Sequence, residues 1–216
     1  MRLRNIPEAQ PVVDSYPELV RTLDYFALKD KKFTLDGFFP REQPLHLELG
    51  MGRGLFITTL AARNPEINYL GIDQFTSVVY KALLKIKEAP LDNLRFLILD
   101  ITNLHFLLAE NTVERIYLNF SDPWPAAGKA RKRLTSARKL KMYKKFLKPG
   151  GEIFFKTDNE ALFEFSLNQL AEEDFKLKNI TFDLHNSKFA ADNIMTEYET
   201  RFSRQGKKIY RVEASY

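Results

Sequence analysis

From residue 45 to residue 174 the chain alternates short apolar runs with longer amphipathic ones. The runs "LHLEL" (45–49), "INYLGID" (67–73), "LRFLILD" (94–100), "VERIYLNF" (113–120) and "EIFFKTD" (152–158) have the length and apolar content of buried strands. Between them, "LFITTLAARN" (55–64), "FTSVVYKALLKIKEA" (75–89), "SARKLKMYKKFLKPGG" (136–151) and "NEALFEFSLNQLAEED" (159–174) space their apolar residues as helices do. The third of these helices is predicted to stop at Pro149-Gly150-Gly151. "FKLKNITFDL" (175–184) and "KKIYRVEASY" (207–216) alternate as strands with no regular helix of good length between them. Strands separated by helices predict an α/β, doubly wound, mostly parallel seven-stranded sheet, and the last pair predicts an antiparallel strand at one edge. The first 40 residues, with Pro7, Pro11, Pro17 and Pro40, read as a partly flexible arm carrying one short helix near 17–29, ahead of a single domain over 41–216.

Composition narrows the partners. A net charge of +5 includes one dense segment, "GKARKRLTSARKLKMYKK" (128–145), suited to a polyanion through counterion release and equally to the solvated face of a helix. There is no cysteine, and His46, His105 and His185 are far apart in sequence, so no metal site is expected. No run approaches the roughly 18 apolar residues of a membrane span. The opening "MRLRNIPEAQ" lacks the apolar stretch of a secretory signal, which points to the cytoplasm.

In open α/β sheets, ligands bind beyond the carboxyl ends of the strands. The first strand runs into "ELGMGRG", where Gly50, Gly52 and Gly54 let the backbone turn tightly and approach a ligand beside the amides of the next helix. The G-x-G-x-G spacing departs from the dinucleotide fingerprint, since position 55 is Leu, and no Gly-Lys-Ser/Thr follows as in a P-loop. Asp73 ends the second strand, where it can hold both ribose hydroxyls or cap the following helix. Asp100 ends the third and can reach an adenine amino group or serve a strand-end turn. Glu48, Gly50, Gly52, Gly54, Asp73 and Asp100 together describe a pocket for an adenosyl compound. The fourth strand leads into "NFSDPWP", where Pro123 and Pro125 restrict the backbone around Trp124, either to stack a base or to plug the core.

"ELGMGRG", "GID", "NFSDPWP", "FKTDN" (155–159), "MTEYETRF" (195–202) and "IYRVEA" (209–214) resemble the bacterial tRNA (guanine-N7-)-methyltransferases, class I enzymes with a Rossmann-like fold that use S-adenosyl-L-methionine (AdoMet). The resemblance covers nearly the whole chain, and "NFSDPWP" with a downstream "TEYE" is its most specific part. It implies that Glu48, Asp73, Asp100 and Asp122 contact AdoMet, with Asp122 also catalytic. It further implies that Asp158, Thr196, Glu197, Tyr198 and Glu199 bind the target guanosine, in the tRNA variable loop. Taken as residues alone, Asp158 reads as a helix cap and "TEYE" as an ordinary first helical turn with acidic groups near the positive end of the dipole. The family usually has a lysine directly after "SDPWP"; here Ala126, Ala127 and Gly128 follow, and positive charge resumes at Lys129, Arg131, Lys132 and Arg133.

Arg2 and Arg4 of the arm, with Lys129, Arg131, Lys132 and Arg133, are the expected phosphate contacts to tRNA, which position the substrate without reading its sequence. The expected partner is tRNA, bound by a monomer or homodimer. Asp158, Glu197 and Glu199 can accept from guanine N1–H and its 2-amino group, donors that adenine lacks in this arrangement. Asp122 can either offset the positive charge of the product base or grip the base edge. An amino-group methyltransferase is the nearest rival, but it would carry Asn/Asp-Pro-Pro-aromatic where this chain has Asp122-Pro123-Trp124. A non-catalytic RNA-binding module would have no need of the intact Glu48–Gly54 turn, and a nicotinamide oxidoreductase fails on glycine spacing.

Overall fold

The structure, a computed structural model, describes residues 6–29 and 34–216, in two compact units that divide between residues 109 and 110. The first unit contains α1 (Ala9–Asp14), β1 (Val20–Thr22), α2 (Tyr25–Lys29), β2 (Leu45–Leu49), α3 (Leu55–Arg63), β3 (Asn68–Asp73), α4 (Thr76–Ile86) and β4 (Leu94–Ile98). Its strands lie in the order β1-β4-β3-β2, and each neighbouring pair is parallel. All of β4, and all of β3 except Asp73, is buried, as expected of parallel strands covered on both faces. Helix α4 buries Val78, Val79, Ala82, Leu83 and Ile86, the apolar stripe read from its sequence.

The stretch 17–29 departs from its expected single helix. It forms β1 and then α2, because Val20 pairs with Phe96 and Thr22 with Ile98 along β4. Leu19 O accepts from Phe96 N at 2.9 Å, and Leu23 N donates to Ile98 O at 3.0 Å. The buried residues Leu19, Val20, Leu23 and Leu28 fit either helical or extended spacing, and the bonds offered by β4 favour the extended form.

The second unit contains β5 (Val113–Asn119), α5 (Ala137–Phe146), β6 (Leu147–Thr157), α6 (Glu160–Glu172), β7 (Lys176–Thr181), α7 (Glu197–Ser203) and β8 (Tyr210–Ser215). Its order is β5-β6-β8-β7, with β8 antiparallel to both of its neighbours. The fold is α/β with eight strands, mostly parallel, and β1 is the strand beyond the seven expected. Helix α5 ends before Pro149, since Leu147 is already extended, fully buried and paired with Val113. The Pro149-Gly150-Gly151 run instead occupies an irregularity of β6 between Leu147 and Glu152. Among the described residues, no helix is long and apolar enough to cross a membrane.

Candidate active site

In the first unit, the chain leaves β2 through three glycines in left-handed backbone conformations: Gly50 (φ 76°), Gly52 (φ 57°) and Gly54 (φ 78°). The amides of Gly50 and Met51 both donate to Ile72 O, at 2.8 and 3.1 Å, tying the turn to the end of β3. Gly52 N donates to Asp73 Oδ2 at 3.2 Å, and Phe75 N donates to Asp73 Oδ1 at 3.1 Å. Asp73 thus braces both the glycine turn and the entry to α4, and a carboxylate oxygen can accept from more than one donor at a time.

The glycines serve different ends. A Cβ on Gly54 would lie 2.6 Å from Ala82 Cβ, so the absent side chain lets α3 start against α4. A Cβ on Gly52 would meet nothing within 4 Å, so this side of the turn faces open space. Glu48 is buried at 1% exposure just before the turn. Asp100 is exposed past β4, with Oδ1 accepting from Thr102 N at 2.8 Å and Thr102 Oγ1 at 2.7 Å. It therefore does cap a 3-10 turn over 101–106, one of the two roles read for it from sequence.

The second unit carries "NFSDPWP" directly after β5. Phe120 (φ 52°) and Trp124 (φ 40°) flank Asp122 in left-handed conformations that bulky residues rarely adopt. Asp122 is exposed and Trp124 half-buried. Arg133 fastens the turn: its Nε donates to Pro123 O at 2.8 Å and its Nη2 to Trp124 O at 3.1 Å, while its guanidinium lies 4.3 Å from the Phe165 ring centroid. Lys132 Nζ stands 4.7 Å from the Trp124 ring centroid and Lys129 Nζ 6.0 Å. The prolines alone therefore do not hold Trp124; the basic segment folds back onto it. The Ser121 hydroxyl is buried with no hydrogen-bond partner among the described residues. Arg131 is exposed, and Arg2 and Arg4 lie outside the described residues.

At the end of β6, Asp158 Oδ2 accepts from Tyr198 Oη at 3.2 Å and from Lys207 Nζ at 3.1 Å. Asp158 is not the cap of α6; that is Asn159, whose Oδ1 accepts from Leu162 N at 2.8 Å. Thr196 caps α7, its Oγ1 accepting from Glu199 N at 3.0 Å, and Glu197 is half-buried in the first turn. The exposed Tyr198 ring lies between Phe120 (centroids 5.1 Å apart) and Phe202 (4.3 Å). Burial raises the Tyr198 phenol pKa, and the charge and hydrogen bond of Asp158 add to the rise.

Glu199 differs from its expected place at the guanine edge. Its side chain has 0% exposure, and both carboxylate oxygens are engaged by protein donors. Burial pushes its carboxyl pKa up, but the Lys156 charge and the bonds from Lys156, His185 and Asn193 outweigh that and hold it below the ordinary carboxylate range. Lys156, His185, Asn193, Phe120 and Arg133 have structural parts here that the sequence alone did not assign. One signal was available: a lysine within the apolar strand "EIFFKTD" must find a buried counter-charge.

A family model described as "Putative methyltransferase" matches residues 42–212. A Brevibacillus brevis protein named tRNA (guanine-N(7)-)-methyltransferase is 48% identical over 215 residues, covering 100% of this chain and 98% of the relative. A Lachnoclostridium phytofermentans protein of the same name is 44% identical, covering 99% and 98%. Among solved structures, a SAM dependent methyltransferase from Aquifex aeolicus aligns with a TM-score of 0.55 at 15% identity, over 96% of each chain. That likeness is one of fold.

Proposed function

The chain belongs to the tRNA (guanine-N(7)-)-methyltransferase family, and we propose that it methylates N7 of a guanosine in the tRNA variable loop, with AdoMet as methyl donor. The observation that carries this reading is the full-length relationship, joined to an intact glycine turn whose Gly52 side is open. The residues of the first unit fit an adenosyl ligand. Glu48, Gly50, Gly52, Gly54, Asp73 and Asp100 would hold it, with the Asp73 carboxylate oxygens suited to ribose hydroxyls; the family resemblance assigns Asp122 to the cofactor as well. Bound AdoMet supplies an electrophilic methyl group on a sulfonium.

Guanine N7 carries an in-plane lone pair and no proton, so the acceptor needs no general base. What the protein contributes is alignment, exclusion of water and a fixed charge. Methylation leaves the imidazole ring of the base cationic, and the Asp122 carboxylate offsets that charge. The strained residues on either side of Asp122, with Arg133 behind them, keep the carboxylate where it is needed rather than leaving it on a free loop. Asp158, Thr196, Glu197 and Tyr198 hold the guanosine. The Asp158 carboxylate, whose side chain keeps 12% exposure, accepts from the guanine N1–H and 2-amino group, which discriminates against adenine. Lys129, Arg131 and Lys132, together with Arg2 and Arg4 of the arm, meet tRNA phosphates.

The test is incubation with methyl-labelled AdoMet and separate pools of tRNA, DNA and protein, followed by nucleoside analysis. Label in 7-methylguanosine of tRNA is expected; label in N6-methyladenine or in protein overturns the reading. Asp122→Ala separates the two roles of that residue. If it keeps full single-turnover methylation and loses only AdoMet affinity, the charge-offsetting role is wrong.

A further inference from the structure

Lys156 and Glu199 form a closed buried cluster. Lys156 Nζ donates to Asn193 Oδ1 at 3.0 Å, Ile194 O at 2.7 Å and Glu199 Oε2 at 2.6 Å, as many acceptors as an ammonium has protons. Glu199 Oε1 accepts from His185 Nε2 at 2.8 Å and Asn193 Nδ2 at 2.7 Å, which requires the His185 proton to sit on Nε2. Side-chain exposure is 7% for Lys156 and 0% for Glu199. The carboxylate has no face left for a base.

The place of the cluster in the chain explains its use. Lys156 precedes Asp158 by two residues in β6 and the loop after it, and Glu199 directly follows Tyr198 in α7. The cluster also takes in His185 and the 193–194 loop, so four chain segments meet at one ion pair. Tyr198, 41% exposed, and Asp158, whose side chain keeps 12% exposure, lie 3.2 Å apart beside the cluster. The Phe120 ring, 5.8 Å from Lys156 Nζ and 5.1 Å from Tyr198, closes the side of this arrangement.

We propose that Glu199 and Lys156 are positioning residues that lock Asp158 and Tyr198 in register for the guanosine, and that neither touches the base. This rests on the guanosine-methylating reading given above. The consequence is distinctive. A ligand cannot be replaced without losing substrate affinity, but a positioning ion pair can be replaced as a pair. Removing one charge strands the other in the interior, whereas replacing both with neutral residues of similar volume is commonly tolerated.

The experiment compares Glu199→Gln, Lys156→Met and the double variant in the full-length protein, reading thermal unfolding, AdoMet binding, and KM and kcat for tRNA. Each single variant is expected to lower the Tm and raise the tRNA KM about tenfold or more, with AdoMet affinity unchanged. The double variant is expected to regain the Tm and return the KM to within about threefold of the parent. A double variant that regains the Tm but keeps the raised KM makes Glu199 a base contact and overturns the proposal. A double variant that does not regain the Tm overturns it too, because the pair is then not an exchangeable unit. If the parent protein methylates no tRNA guanosine, the functional reading fails, and the Tm comparison still decides whether the ion pair acts as a unit.

Discussion

Gly52 and Gly54 occupy one turn, yet an added methyl group at each is expected to fail in a different assay. Both have positive φ, 57° and 78°, so alanine at either position costs about 1–2 kcal/mol in backbone strain. At Gly54 the new Cβ also meets Ala82 Cβ at 2.6 Å; relieving that overlap between packed helices costs a further 1–3 kcal/mol or so. Gly54→Ala is therefore destabilised by about 2–5 kcal/mol, and a chain of this size loses roughly 2–4 °C of Tm per kcal/mol. A fall of about 4–20 °C follows for Gly54→Ala, against about 2–8 °C for Gly52→Ala.

AdoMet binding reverses the order of interest. The Cβ of Gly52→Ala points into space empty to 4 Å, the side of the turn assigned to the ligand, so the folded variant is expected to bind AdoMet at least about tenfold more weakly, or about 1.4 kcal/mol. Differential scanning calorimetry gives the first quantity and isothermal titration with AdoMet the second. A Gly52→Ala protein that binds AdoMet within about twofold of the parent refutes the placement of the ligand against this turn. A Gly54→Ala protein no less stable than Gly52→Ala refutes the packing argument.

Three further outcomes are expected. Arg133→Ala, which strips two charge-assisted bonds from the turn carbonyls of Pro123 and Trp124, should cost about 1.5–3 kcal/mol and lower kcat; Arg133→Lys, lacking the fork, should restore only part, and an unchanged kcat in Arg133→Ala would remove the clamp from the mechanism. Neutralising Lys129, Arg131 and Lys132 together should raise the tRNA KM and flatten its salt dependence, by up to about one unit of slope for each phosphate that is no longer neutralised, measured from 50 to 200 mM salt; a slope equal to the parent's would take this segment off the RNA surface. Glu199, with its carboxyl pKa held down by Lys156 against the cost of burial, adds stability that is complete above the ordinary carboxylate pKa and is lost as pH falls through the lower folded value; Glu152, held down by Lys178 and Arg115, acts in the same direction. The Tm of the parent should then fall below about pH 4.5 more steeply than that of the Lys156→Met/Glu199→Gln double variant, and parallel curves would contradict the assigned shift.

Features that depend on near neighbours in the chain were legible in the amino-acid sequence. The strand and helix order from 45 to 174 followed from periodicity, and the G-x-G-x-G turn from the conformations that only glycine adopts easily. Family membership was legible because "NFSDPWP" and "TEYE" are rare strings of residues, not because any single residue in them is diagnostic. The three residues of β1 escaped because their strand character comes from β4, more than seventy residues further along the chain. The fate of each acidic side chain was likewise settled by folding. Asp158 and Glu199 read alike in sequence as acceptors for guanine, but the Asp158 side chain keeps 12% exposure while Glu199, at 0%, is enclosed by Lys156, His185 and Asn193. Whether a carboxylate can meet a ligand depends on which donors surround it, and those arrive from segments that only folding brings together. The same holds at Trp124, where the flanking prolines were visible at once, while Arg133 became its anchor only when the basic segment folded back upon it.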